Sequence, residues 1–125
     1  MTISSKAFLT EIHTIINKDS ESVISVILNQ SSKEQTCLAG LSDDQVKGLQ
    51  SLSLDEDQVS VLRKALKNMA VSIVSGMLCI VDGVAYTTEP VPDLALVNRD
   101  TGCPINEDFL HDEFFEIMPG NSLTD

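Results

Sequence analysis

From Asp55 to about Val81, the apolar residues Val59, Leu62, Leu66, Met69, Ile73, Met77 and Ile80 recur at three- and four-residue spacing. That is one unbroken stripe of a single long helix. Asp55, Glu56 and Asp57 sit in its first turn, where the positive end of the helix dipole favours carboxylates. Asp82-Gly83 is a strong stop, because glycine tolerates the left-handed conformation that ends helices. Arg63, Lys64 and Lys67 are expected outward, and beyond Met69 the polar face shrinks to Ser72, Ser75 and Gly76. This second half is therefore expected to be covered on most sides, as a buried core helix. The apolar run Met69 to Val81 lies between Lys67 and Asp82 and is shorter than the roughly 20 residues of a membrane span.

The rest of the chain has to build around that helix. Phe8, Leu9, Ile12, Ile15 and Ile16 form an amphipathic stripe from Ser4 onward. Asp19 or Ser20 is expected to cap a second segment carrying Val23, Ile24, Val26, Ile27 and Leu28, closed by Asn29. Its β-branched run is compatible with a strand, but the flanking cap residues favour helix. Ser32 with Gln35, Ser42 with Gln45, and Ser53 with Glu56 all have capping-box spacing, with Gly40 ending the first of these short helices. The repeated Asp-Gln-Val-x-x-Leu at Asp44 and Asp57 is too closely spaced for a repeat array and reflects two helix starts of the same kind.

After Gly83 the texture changes. Pro90 and Pro92 bar helix. Residues 84–105 are predicted to form a small β-hairpin or an irregular segment, with Pro104 confining any strand to an edge. Asn106 is expected to cap a last short helix, Glu107 to about Met118, stopped by Pro119-Gly120 and followed by five frayed residues. The fold class is mainly α: one domain over residues 1–125, a compact bundle of five or six helices around a long central one at about 55–81.

Composition limits the core and the partners. Apolar residues make up 42% of the chain, too many for disorder, and without tryptophan the core must be aliphatic. The net charge is −11, and nearly all of it lies in the last third. Residues 82–125 hold ten acids against Arg99 alone; residues 1–81 hold nine acids against seven bases. Such a tail repels nucleic acid and anionic membrane and attracts basic surfaces. Three cysteines without C-x-x-C spacing suit a reducing compartment, and Met1 to Ile12 holds no apolar signal run, so a cytoplasmic location is expected.

The densest polar cluster is Asp108, His111, Asp112, Glu113 and Glu116. On a helix Asp108, Asp112 and Glu116 would stack one turn apart, while Leu110, Phe114 and Ile117 dock on the core. Like charges at that spacing disfavour an isolated helix, so packing or a basic partner must hold it. His111 with Asp108 or Asp112 offers metal donors, but no second histidine lies nearby and the spacing matches no metal motif. Cys103, His111 and Asp112 have the residue types of a thiol triad without a recognisable oxyanion loop. His13 lies beside an apolar stripe and is expected at its boundary, and Cys79 is expected in the core. Phosphate loops and calcium-loop patterns are absent, and no cofactor is expected.

Three functions follow as expectations. The first is a binding protein that covers a basic partner, such as a toxin or nuclease domain, through Asp108, His111, Asp112, Glu113 and Glu116. In general character, small, acidic and without catalytic motifs, the chain is similar to bacterial immunity proteins, although no motif carries that likeness. The second is a homodimer joined through Met69, Ile73, Met77 and Ile80. The third, weaker, is a small metal or thiol enzyme using Cys103 and His111; the chain is otherwise expected not to be an enzyme.

Overall fold

The structure, a computed structural model, describes residues 2 to 118. It is mainly helical, as the periodicity predicted, with no named strand among the described residues. Four α-helices follow in order: α1 (Ile3–Ile27), α2 (Asp43–Gln50), α3 (Glu56–Val81) and α4 (Leu110–Glu116); a 3-10 turn covers Lys33–Gln35. The expected helix stop at Pro119-Gly120 and the fraying after it lie outside the described residues. Contacts divide the chain into two compact units. One comprises Ile15–Met69; the other takes the residues up to Thr14 and from Ala70 on.

The unit of residues 15–69 contains most of α1, all of α2 and the first half of α3. The expected break at Asp19 or Ser20 does not occur. Leu9, His13, Ile16, Ser20, Val23 and Ile27 are all buried at alternating three- and four-residue steps, so one stripe runs through the whole helix. Ser20 fills a core position, and its hydroxyl bonds back to the Ile16 carbonyl at 2.7 Å instead of capping a new helix. Asn29 does close α1, at φ 58°, with its N–H on Val26 O and that of Gln30 on Ser25 O. The Gln50 amide at the end of α2 donates to Val26 O at 3.0 Å, so α2 helps to finish α1.

The capping box at Ser42 and Gln45 is complete, with bonds of 2.9 and 3.2 Å. The one expected at Ser53 and Glu56 is instead made by Asp55 and Gln58, at 2.8 and 2.9 Å. Ser53 has φ 51° and belongs to the turn before it. Arg63 and Lys67 do not point freely outward: Glu21 of α1 takes both, at 2.6 and 3.6 Å.

Lys33 spans the loop before α2, donating to Leu41 O and pairing with Asp43 at 2.9 Å. The hydrogen bond that Lys33 donates to Asp43, and then the Lys33 charge, hold the Asp43 carboxyl below its ordinary 3.8. A carboxylate lowered in this way stabilises the fold above its unfolded pKa, and the gain is lost as pH falls through the lowered value. Asp43→Asn is therefore expected to be slightly less stable than the parent near neutrality. The difference should close as the pH drops below about 4. A deficit that persisted in acid, read by denaturant unfolding across pH, would contradict this account.

The second unit is built on the N-terminal turns of α1, the second half of α3, the irregular segment and α4. Its core comprises Ser5, Leu9, His13, Val71, Leu78, Leu110 and Phe114. Cys79, expected inside, is only half-buried. α3 ends as its sequence predicts: Gly83 has φ 74°, with Gly83 N on Ile80 O and Val84 N on Cys79 O. The hairpin reduces to one bridge, Val97 with Pro104, around a tight turn at Asn98 to Gly102. Asn106 does not cap α4. Its side chain pairs with the backbone of Leu96 and Leu94 at 3.0 and 3.3 Å, standing in for a missing strand partner.

The largest departure concerns α3 beyond Lys67. Its buried residues are Val71 and Leu78, whereas Met69 (57% exposed), Ile73 (56%), Met77 (60%) and Ile80 (37%) are open. These two sets lie on opposite sides of the helix. The expected buried core helix is thus overturned: only 11% of its most apolar 18-residue window is buried. By length and composition alone, α3 is also the one described helix apolar enough to cross a membrane.

Candidate functional site

α4 is only seven residues long, and Phe109 at its start offers no side-chain cap. The cap comes from elsewhere. Asp82, the residue after α3, points its Oδ2 at the His111 N–H (2.9 Å) and at His111 Nδ1 (2.7 Å). Its side chain is fully buried, and Oδ1 has no hydrogen-bond partner among the described residues. A carboxylate just past the end of α3 faces the negative end of that helix dipole, but the N-terminus of α4 supplies the positive end. Nδ1 donates to the Asp82 carboxylate, and Nε2 lies 3.4 Å from Asp112 Oδ1.

Below this anchor lies His13, buried on α1. Its ring stacks on Phe114 with centroids 4.2 Å apart and planes 8° from parallel. Its Nε2 lies 2.8 Å from the Phe114 carbonyl, which can only accept, so Nε2 carries the proton. His13 is therefore a core residue with a fixed tautomer rather than one at the stripe's boundary.

The expected cluster is only partly assembled. Because α4 starts at Leu110, Asp108 precedes the helix, and the three-carboxylate stack shrinks to Asp112 and Glu116. Both are exposed. Glu113 is 5% exposed and lies on the buried side with Leu110 and Phe114, which dock as expected. His111 is committed to Asp82. No hydrogen bond joins Cys103 to His111; among the described residues the Cys103 thiol reaches Thr101 O, at 3.8 Å. Among the described residues no three His, Cys, Asp or Glu side chains group closely enough to hold a metal.

The acidic surface is nevertheless wider than the cluster. Glu89, Asp93, Asp100, Glu107 and Glu116 are exposed and make no ion pair among the described residues. The basic residues of this unit are Lys6 and Arg99 alone. In the other unit Lys33, Arg63 and Lys67 are paired internally. An apolar groove of about 460 Å³ also opens there, lined by Leu52, Leu54, Val61, Leu62 and Ala65 among others.

Sequence reasoning missed Asp82, seen only as a helix stop. Its partner lies 29 residues away, and no local signal marks the pairing. Compared with known proteins, the chain matches no family model, no curated sequence and no solved structure.

Proposed function

We propose that this protein is a binding module that docks on a basic protein through the acid-rich unit of α4 and the segment before it. One observation carries this reading. That unit exposes carboxylates on Glu89, Asp93, Asp100, Glu107, Asp112 and Glu116 against only Lys6 and Arg99. A surface of one sign raises the encounter rate with an opposite one and rejects like-charged partners. A neutralising inhibitor that covers the cationic cleft of a toxin or nuclease domain is the most specific form of the proposal.

Neutralising those six acids together, with Asp82 and Glu113 left intact, tests it. The variant should fold at least as well as the parent, since it relieves like-charge repulsion. A basic partner retained by the parent at low salt should be released at high salt. Its on-rate for the variant should fall about 10- to 100-fold. An unchanged on-rate for that partner would end the proposal. A second reading, self-association, is favoured by the uncovered Met69, Ile73, Met77 and Ile80.

A further inference from the structure

The open face of α3 points to a second copy of this chain, and we infer that two α3 helices pair antiparallel across a two-fold axis at Ile73. This pairing rests on the self-association reading and is independent of the acidic surface.

The spacing of the stripe is itself symmetric. Along the open face of the helix Leu66, Met69, Ile73, Met77 and Ile80 follow one another by three, four, four and three residues. That series reads the same in both directions from Ile73. In an isologous interface, residue i meets residue j and j meets i. An antiparallel pair centred on Ile73 therefore sets Met69 against Met77 and Leu66 against Ile80, and each of these meetings occurs twice. Leu62, on the wall of the apolar groove, falls opposite the residues just past the end of the other copy's helix, Val84 among them. Val84 is 46% exposed. The step from Leu62 to Ile73 is eleven residues, a period that winds paired helices right-handed.

Gly76 fits the same arrangement. Glycine in the middle of a helix costs stability relative to alanine. Within this chain nothing lies within 4 Å of where a Cβ on Gly76 would be, so no internal contact calls for its absence. In the antiparallel register Gly76 comes level with Ala70 of the other copy on the opposite margin of the seam, so small residues flank the axis on both sides. Charge narrows the choice of occupant further. The helix carries no charged side chain between Lys67 and the end at Val81, while Arg63 and Lys67 on its other side are held by Glu21. A basic, acidic or nucleic-acid partner would find nothing there to pair with. Helix lies against helix over residues 65–81, about 24 Å, so an interface of ~800 Å² per partner also draws in the ends, where Leu62 meets Val84.

Sedimentation equilibrium of the full chain across the micromolar range is the first measurement, and a dimer is expected. Ile73→Asp sets two carboxylates against each other on the axis and should weaken the dimer about a hundredfold or more. Gly76→Leu should do the same by bulk. Gly76→Ala should raise the thermal stability of the monomer while weakening association, a combination that misfolding cannot produce. For the register, Ile73→Cys should form a disulfide between copies under mild oxidation, located by peptide mass spectrometry. Met69→Cys alone should not, whereas the double variant Met69→Cys with Met77→Cys should link one position to the other between copies. A dimer that ignores Ile73→Asp, or one in which the single variant Met69→Cys cross-links to itself, overturns the register while leaving self-association in place. A monomer at every concentration overturns both. A monomer that also pellets with phosphatidylcholine vesicles assigns the face to a bilayer instead.

Discussion

Phe114→Ala is expected to destabilise its unit by about 3–5 kcal/mol, the usual cost of removing a fully buried phenylalanine. The ring has no exposure, stacks on His13 at 4.2 Å and meets Phe115 edge-on at 5.7 Å. The backbone carbonyl that accepts from His13 survives the substitution, so the loss reports the ring and the cavity it leaves. A fall of that size is a large share of the roughly 5–15 kcal/mol that holds a typical domain. Phe114→Leu keeps most of the volume and should cost about 1.5 kcal/mol or less. Urea unfolding followed by circular dichroism gives both values. A cost below about 1 kcal/mol for the alanine variant would mean that the site collapses and the stack is unimportant.

Asp82→Ala is expected to cost about 3 kcal/mol, because it strips two charge-assisted hydrogen bonds from a buried carboxylate at once. The His111 N–H then has no acceptor at the start of a helix that lacks a cap of its own. His111→Ala separates the two contributions: it removes the 2.7 Å imidazole bond and keeps the backbone one, so it should cost about 1.5 kcal/mol. Asp82→Asn retains an acceptor for the backbone N–H and should fall between them. If Asp82→Ala were no worse than His111→Ala, the carboxylate would not be what anchors α4. A double-mutant cycle between positions 82 and 111, read from denaturant midpoints at constant slope, measures the coupling directly.

Much of the fold was legible where the controlling residues are close in sequence. The limits of α3, the left-handed stops at Asn29 and Gly83 and the capping box at Ser42 depend on neighbours within a turn or two. Prediction failed where a distant group decides. α4 begins at Leu110 because Asp82 caps it, while Asn106 is engaged by Leu94 and Leu96. α1 continues through Ser20 because a small hydroxyl residue can occupy a buried stripe and satisfy itself on the preceding turn. Periodicity located the apolar stripe of the long helix but could not say whether the chain itself covers it. The candidate site divided for the same reason: Asp112 and Glu116 stayed outside, while Glu113 turned inward beside Phe114.

The stack of His13 on Phe114 joins residues 101 positions apart. During synthesis at roughly 5–20 residues per second, the imidazole waits about 5–20 s for its ring. The unit of residues 15–69 is continuous in sequence and can close while the ribosome is still at work. The other unit must wait longer, because residues 15–69 separate its first piece from its last. The carboxylate-rich unit thus matures after the other, and any truncation before Phe114 leaves it without a centre.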